Sequence, residues 1–207
     1  MSTAVSIPTS LEERLKMGAE SLRYPIAYSE FLDILEQAEY PIEYENGELI
    51  IRSIASDEHE RIVANLLGVF FAELKRQSDY GRYGSNRHIY IPPLNKAYSP
   101  DASVVKGAPA THEYAKGKAA YTNPWLVTEV ISPSSRNRDF GEKLLGYKSI
   151  DSLQYILYAE QDRPLVTLFE RIPDSNRWRS TDFNELKQKL EIGHFSILME
   201  DIYDNVF

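Results

Sequence analysis

The sequence predicts a domain of the α/β or α+β class, in which a mixed β-sheet is flanked by helices. Three features support this prediction. Two short alternating segments meet at Asn46-Gly47, residues 57–78 carry a helical stripe of apolar side chains, and the apolar run 125–131 precedes a helical pattern and further strands. Helices and strands therefore alternate along the chain, which is typical of a sheet covered by helices.

The first half of the chain predicts two helices and a hairpin. The stretch 29–37 has helical spacing, and Ser29 is a suitable N-cap residue. Asn46-Gly47, placed between two alternating segments, is a strong signal for a type I′ hairpin turn. The longest helix is predicted at 57–78, with a buried stripe made of Ile62, Leu66, Phe70 and Leu74.

The second half of the chain predicts most of the sheet. Gly81 and Gly84 indicate a turn, and the stretch rich in Ala, Gly and Lys after Lys106 indicates a loop of roughly 15–20 residues. A helix is predicted at 139–150. Strands are predicted at 87–91, 102–105, 125–131, 154–158, 165–169 and 195–198.

The length of 207 residues suits one domain, which we place at residues 25–207 behind a polar N-terminal arm at 1–24. The chain contains no cysteine, which excludes disulfides and thiolate metal sites. The N-terminus lacks the apolar core of a secretory signal, and no apolar run is long enough to span a membrane. We therefore expect a soluble, cytoplasmic protein.

The net charge of −8 argues against a protein that holds nucleic acid mainly through bulk electrostatics. It does not exclude a nuclease, because carboxylates that bind a metal ion add negative charge. A local basic strip on an acidic body would also be compatible with this charge.

Glu129 interrupts a strand that is apolar on both faces, since Trp125, Val127 and Ile131 share its face and Leu126 and Val130 occupy the other. Such a strand is usually central and covered on both sides. A carboxylate there must be paired, protonated or bound to a cation. A structural salt bridge or a place at the open end of the strand would account for it equally well.

Asp101 follows Pro100 at the start of another predicted strand. The usual role of an aspartate at such a place is in a turn or a cap. Two carboxylates at the ends of neighbouring strands would also suit a hard divalent cation such as Mg²⁺.

Lys143 lies within the apolar stripe of the predicted helix 139–150, close in angle to Phe140, Tyr147 and Ile150. One interpretation is a lysine that lies along the edge of the stripe and extends its ammonium group to water. The other is an ammonium group directed at an active site, where it would orient water or offset charge on a phosphoryl group.

Three segments together resemble the Uma-type family of proposed restriction endonucleases, which is abundant in cyanobacteria and belongs to the PD-(D/E)xK nuclease superfamily. These segments are Pro100-Asp101, the stretch Glu-Val-Ile-Ser-Pro-Ser-Ser at 129–135, and Asp-Phe-Gly-Glu-Lys at 139–143 followed by Tyr147. Supporting matches are the stretch 43–50, His59 and the strand Gln-Tyr-Ile-Leu at 154–157. The resemblance runs from about residue 27 to residue 203 and implies a restriction-endonuclease-like fold.

One departure from the superfamily pattern decides how the site is assigned. In (D/E)xK the lysine stands two residues after the acid, but this chain has Ile131 there. The Uma-type family places a lysine on the following helix, and Lys143 matches that position. The resemblance therefore implies Asp101, Glu129 and Lys143 as catalytic residues, with Asp101, Glu129 and the carbonyl of Val130 as metal ligands.

The implied activity is Mg²⁺-dependent hydrolysis of DNA phosphodiester bonds, with Mn²⁺ as a possible substitute and a homodimer as a plausible assembly. Two alternatives are open: a nuclease-like protein that binds nucleic acid or protein without cutting, and a nuclease for RNA or for branched or damaged DNA. Candidates for a further acid or base are Glu43, Glu48 and His59. Candidates for nucleic-acid contact are Arg136, Arg138, Arg82 and Arg87.

Overall fold

Two large β-sheets share a layer of buried side chains, and helices cover their outer faces. The computed structural model describes residues 7–18, 21–115 and 118–207. The helices are α1 (Leu11–Lys16), α2 (Tyr28–Gln37), α3 (Asp57–Leu74), α4 (Arg136–Arg138), α5 (Leu144–Lys148) and α6 (Met199–Ile202), with a 3₁₀ turn at Pro92–Leu94 and a π-helical turn at Asp139–Lys143.

The strands follow the chain in an order that interleaves them with these helices. They are β1 (Leu22–Pro25), β2 (Ile42–Glu45), β3 (Glu48–Ile51), β4 (Tyr80–Gly84), β5 (Ile89–Ile91), β6 (Lys96–Tyr98), β7 (Ala102–Lys106), β8 (Thr111–Ala115), β9 (Lys118–Tyr121), β10 (Pro124–Ile131), β11 (Tyr155–Glu160), β12 (Val166–Arg171), β13 (Trp178–Phe183), β14 (Lys189–Ile192) and β15 (Phe195–Leu198).

The sheet that carries β10 has the strand order β13-β12-β11-β10-β7-β4, and the second large sheet has the order β1-β3-β2-β6-β5-β9-β8. In the first sheet β10 and β11 run parallel, whereas β10 and β7 run antiparallel. The predicted mixed sheet flanked by helices is therefore confirmed.

The central strand β10 is covered on both faces, as its apolar sequence predicts. Leu126 and Val130 belong to the cluster that packs against α3 and α6, whereas Val127 and Ile131 belong to the cluster shared with α5 and the second sheet. Trp125 was expected on the Val127 face, and this was wrong. The register shifts between Pro124 and Leu126, so Trp125 joins the α3 cluster instead.

The predicted hairpin and long helix are both present. Asn46 and Gly47 have φ values of 53° and 83°, which are the left-handed conformations that a type I′ turn requires. The stripe of α3 is fully buried, and its N-cap is Ser56, whose hydroxyl accepts a hydrogen bond from the backbone N–H of His59. The helix ends at Leu74 rather than at residue 78.

Two predicted details of the helices were wrong. The N-cap of α2 is Ala27, not Ser29, and it makes no side-chain cap hydrogen bond. The predicted helix 139–150 is divided into a π-helical turn and α5 because Gly141 has a non-helical ψ of −110°. Glycine tolerates such a conformation because it lacks Cβ.

Several strands form where the sequence pattern predicts a loop or a turn. Strand β4 occupies the predicted turn at Gly81 and Gly84, and pairs with β7 at the edge of its sheet. Strands β8 and β9 form a hairpin within the predicted loop. Strand β1 pairs with β3 and includes residues 22–24, which the predicted boundary assigned to the N-terminal arm.

Candidate active site

Asp101 and Glu129 lie side by side on neighbouring strands. Ala102 of β7 pairs with Thr128 of β10, so continuing the antiparallel register by one residue places Asp101 opposite Glu129. The backbone N–H of Val130 donates a hydrogen bond to Asp101 Oδ2 at 2.7 Å. Both carboxylates are buried, with exposures of 3% for Asp101 and 1% for Glu129.

Glu129 receives two groups from the helical segment that follows its strand. The Nζ atom of Lys143 lies 2.8 Å from Glu129 Oε1, and the hydroxyl of Tyr147 donates a hydrogen bond to the same oxygen. Burial raises the pKa of Glu129 to about 7, because the loss of hydration outweighs the attraction of Lys143. The charge of Asp101 acts in the same direction as burial.

Asp101 is held from the other side by residues of the first hairpin and of α3. Arg52, directly after β3, lies 2.7 Å from Asp101 Oδ1, and His59 Nε2 lies 3.4 Å from Oδ2. Burial favours the neutral acid, but Arg52 and His59 together hold the pKa of Asp101 well below its usual range. In return, Asp101 raises the pKa of His59 against the opposing effect of burial.

Lys143 is fully buried, which excludes the interpretation that its ammonium group extends to water. Its Nζ atom lies 3.1 Å from Glu43 Oε1 and 3.9 Å from Asp139 Oδ1, in addition to Glu129. Burial disfavours the ammonium form, but Glu129 and Glu43 raise the pKa of Lys143, so the side chain is charged. None of these contacts has the angles of a hydrogen bond, so the ammonium group retains unused donors.

A second group of buried charges adjoins the first. Glu43 and Glu45 project from the same face of β2, and Arg138 lies 2.6 Å from Glu43 Oε2 and 3.3 Å from Glu45 Oε2. Lys96 lies 3.2 Å from Glu45 Oε1. Arg138 and Lys143 hold the pKa of Glu43 well below its usual range, although burial acts in the opposite direction.

The structure brings together six of the predicted site residues: Asp101, Glu129, Lys143, Glu43, His59 and Arg138. Glu48 lies elsewhere, at the surface, where it pairs with Arg23 at 3.0 Å. Arg136 pairs with Glu160 and lies over the Phe140 ring at 4.8 Å. Arg82 and Arg87 line a separate cavity beside Asp101.

Sequence reasoning missed Arg52, Glu45 and Tyr147 as site residues. Arg52 stands in an irregular segment, and no local pattern predicts its contact with Asp101. Glu45 shares a strand face with Glu43, a signal that could have been used. An alternating strand usually turns its polar face to water, but here the segment after β10 covers that face with Arg138 and Lys143.

A cavity of about 700 Å³ opens onto Asp101 and the backbone of Val130, and we call it the hairpin cavity. Its walls come from β3, from the loop before α3 and from the segment that follows β10. Asp101, Glu129 and the Val130 backbone offer oxygen donors of the kind that Mg²⁺ prefers. Among the described residues no group of three His, Cys, Asp or Glu side chains is arranged as a metal site, so the fit rests on two carboxylates and backbone oxygen.

The chain is similar to known proteins over most of its length. A family model described as "Uma2: Putative restriction endonuclease" matches residues 28–196. An uncharacterized protein of Synechocystis is 27% identical over 169 residues, which cover 82% of this chain and 93% of that protein. The crystal structure of a putative nuclease of the DUF820 group from Anabaena variabilis superposes with a TM-score of 0.68 at 19% identity, covering 88% of this chain and all of that one. Within the described residues, no helix is long and apolar enough to cross a membrane.

Proposed function

The chain belongs to the Uma2 family of restriction-endonuclease-like proteins, and from that premise we propose that it is a metal-dependent endonuclease that hydrolyses DNA phosphodiester bonds. The observation that carries the proposal is the position of Lys143. Its ammonium group comes from the helical segment after β10 and lies 2.8 Å from Glu129, which is itself opposite Asp101. Two carboxylates and a lysine, the residue types used in such nuclease sites, thus lie together although β10 itself carries no lysine.

Asp101, Glu129 and the carbonyl oxygen of Val130 would hold Mg²⁺, for which Mn²⁺ could substitute. When bound, the ion would supply Lewis acidity, activating water and neutralising charge on the phosphate. The two carboxylates balance Arg52 and Lys143, and both cations lie where they would face a phosphate held beside Asp101 and Glu129.

The residues of the chain have distinct roles in this proposal. The N–H of Val130 fixes one oxygen of Asp101, which leaves Oδ1 to face Arg52 or a ligand. Lys143 carries a charged ammonium group with unused hydrogen-bond donors in a site without bulk water, where it would orient the attacking water or offset charge on the phosphoryl oxygens. Tyr147 keeps the Glu129 carboxylate in one orientation.

The proposal is tested by cleavage of supercoiled plasmid in the presence of Mg²⁺, Mn²⁺ or EDTA. Wild type is compared with Asp101→Asn, Glu129→Gln and Lys143→Met, each checked for folding by thermal melting. We expect metal-dependent nicking that falls by at least about 100-fold in all three variants. The matched controls Glu73→Gln and Lys75→Ala change exposed residues at the end of α3 and directly after it, and should cut at the wild-type rate.

The outcomes separate the parts of the proposal. Cleavage that survives Lys143→Met but not the two acid variants would retain the nuclease and remove the role of the lysine. An absence of cleavage on plasmid and on oligonucleotide substrates, by folded protein with either metal, would contradict the proposed activity.

We also propose a two-fold symmetric homodimer, because closed two-fold dimers are by far the commonest assembly of soluble homo-oligomers. Sedimentation equilibrium tests this assembly. A monomer at all concentrations at which the protein cuts would contradict it.

A further inference from the structure

Two cavities meet at Asp101. The hairpin cavity lies on one side, and a cavity of about 450 Å³ lies on the other, bounded by α3 and β4. We call the latter the α3 cavity; its walls include Val63, Leu67 and Tyr83. Asp101 and Ser85 line both cavities, so the proposed catalytic carboxylate borders a cavity on each side; we refer to the two adjoining cavities together as the path.

Arginines are concentrated along the path in a protein whose net charge is −8. Of the six arginines that line it, Arg23, Arg52 and Arg138 are each ion-paired with a carboxylate. The arginines are Arg14, Arg23, Arg52 and Arg138 in the hairpin cavity, and Arg82 and Arg87 in the α3 cavity. Guanidinium groups without a carboxylate partner are the ones that suit the phosphates of a nucleic-acid backbone.

The two arginines of the α3 cavity are fixed by aromatic rings rather than by carboxylates. Arg87 donates a hydrogen bond to the carbonyl of Ala119 at 2.9 Å and lies 4.8 Å from the centre of the Tyr121 ring. Arg82 lies 5.5 Å from the Phe71 ring, and its Nη1 is buried without a hydrogen-bond partner among the described residues. Within the same described residues neither arginine is ion-paired with an acid, so both can bind an anion.

Access to the two carboxylates is restricted. Asp101 is 3% exposed and Glu129 only 1%, and of the two only Asp101 lines the cavities, so a phosphate approaches Asp101 by entering a cavity. On the hairpin side Leu11 and Arg14 of α1 form part of the wall. That wall is attached to its neighbours, since the N–H of Leu11 donates to Glu39 at 2.8 Å and Arg14 donates to the carbonyl of Arg52 at 3.0 Å.

We propose that the substrate of this site is a single strand or an unpaired stretch of nucleic acid, which threads past Asp101 from the α3 cavity into the hairpin cavity. Cavities of these volumes hold ligands of the size of one or a few nucleotides, and a carboxylate that is only 3% exposed is reached more readily by a flexible unpaired strand than by a stiff duplex. A positively charged groove with aromatic rings beside it is the usual arrangement for binding a single strand. This inference rests on the proposed nuclease function.

The test compares one labelled DNA oligonucleotide of about 40 nucleotides as a single strand and as a blunt duplex with its complement. Cleavage rates are measured with Mn²⁺, and binding is measured by fluorescence anisotropy in EDTA. We expect the single strand to be cut at least about tenfold faster and to bind at least about tenfold more tightly. Arg82→Ala and Arg87→Ala should each weaken single-strand binding by about five- to tenfold, while Arg177→Ala, at an exposed and distant site, should leave it unchanged.

The outcomes distinguish this inference from the proposed function. Equal or faster cutting of the duplex would overturn the single-strand inference and retain the nuclease. If neither form is cut, the nuclease proposal fails, and the anisotropy data decide the inference: tighter binding of the single strand upholds it, and equal or tighter binding of the duplex overturns it. Single-strand binding that is unaffected by both arginine changes would also overturn the proposed path.

Discussion

At the scale of single residues, Glu129 is an acid whose pKa is raised by the fold, whereas the pKa values of its neighbours Asp101 and Glu43 are lowered. Its pKa lies near 7 because burial favours the neutral acid, so the folded protein binds this proton more tightly than the unfolded chain. The stability that this group contributes is therefore complete below its ordinary pKa of 4.5 and is lost as the pH rises toward 7.

We predict that Glu129→Gln removes this part of the pH dependence in metal-free buffer. Relative to wild type, the variant should gain on the order of 2–3 kcal/mol in free energy of unfolding between about pH 5 and about pH 8, since one pKa unit is worth about 1.4 kcal/mol. Urea unfolding of both proteins in EDTA across this range measures the change. A stability difference that stays constant with pH would show that Glu129 ionises normally in the folded protein.

Lys143 should also have a large structural effect, because it is fully buried between Glu43 and Glu129. Lys143→Met keeps the length of the side chain but leaves both carboxylates without their shared partner. We expect a loss of about 3–5 kcal/mol in stability near neutral pH, as is usual when one member of a buried ion pair is removed.

The double variant Lys143→Met/Glu129→Gln provides the control for this prediction. It removes a negative charge along with the positive one, so it should recover at least about 1 kcal/mol of the loss. Urea unfolding of the single and double variants gives the comparison. A single variant as stable as wild type would mean that Lys143 does not compensate the buried acids.

Glu129 and Lys143 could be singled out from the sequence because each interrupts an apolar pattern, whereas Asp101 suits an ordinary turn and joined them through the family resemblance. Arg52 could not, since its contact with Asp101 depends on how the first hairpin packs beside β7. Arg138 was predicted to contact nucleic acid, and the structure shows its guanidinium group paired with Glu43 and Glu45. No local pattern distinguishes an arginine that binds phosphate from one that pairs with a carboxylate on another strand.

At the scale of elements, the position of α5 determines where Lys143 and Tyr147 lie. Gly146 of α5 lies against the ring of Tyr98, and a Cβ added there would be 2.8 Å from the ring atoms. Tyr98 cannot move away easily, because it is fully buried and donates a hydrogen bond to Glu45. The absence of a side chain at residue 146 thus allows α5 to approach the second sheet.

We predict that Gly146→Ala lowers stability by about 1–3 kcal/mol and reduces cleavage, because α5 must shift and carry Lys143 with it. Gly68→Ala is the matched control, since Gly68 lies in α3 with nothing within 4 Å of an added Cβ. That change should be neutral or stabilising by up to about 1 kcal/mol. Thermal melting and the plasmid assay measure both effects, and equal behaviour of the two variants would contradict the close packing of α5.

The elements that are best predicted from the sequence are those whose buried side chains form a regular apolar pattern. Strand β10 and the stripe of α3 were predicted from their regular apolar patterns, and these side chains have almost no exposure in the structure. Strand β13 was missed because most of its side chains face water and its sequence, Trp-Arg-Ser-Thr-Asp-Phe, is polar. Such a strand is specified by pairing with β12 and not by its own pattern.

At the scale of the whole molecule, an acidic protein carries a short path lined by arginines. On the proposed path Arg82 and Arg87 would make about two phosphate contacts, so the dependence of single-strand binding on salt should be shallow. We predict a slope of about −1.4 in a plot of log K against log salt concentration, and about −0.7 for Arg87→Ala. Anisotropy titrations between about 50 and 200 mM salt measure both slopes, and a steep slope that Arg87→Ala leaves unchanged would place the phosphate contacts elsewhere.

The mixed sheet flanked by helices could be predicted from the order of elements, whereas the pairing of the two sheets through buried charges could not. That pairing depends on contacts between segments far apart in the chain, such as Lys143 with Glu43 and Arg138 with Glu45. Because the buried acids and cations nearly balance, a divalent cation at Asp101 and Glu129 would have to compete with Arg52 and Lys143 for the carboxylates.

The most direct test of this account is a titration of the protein with Mn²⁺, followed by the loss of the electron paramagnetic resonance signal of the free ion. We predict binding that Mg²⁺ competes for, and that weakens by at least about tenfold in both Asp101→Asn and Glu129→Gln while Glu73→Gln binds as wild type does. Equal binding by wild type and both site variants, or no binding at millimolar Mn²⁺, would contradict the claim that Asp101 and Glu129 form a cation site.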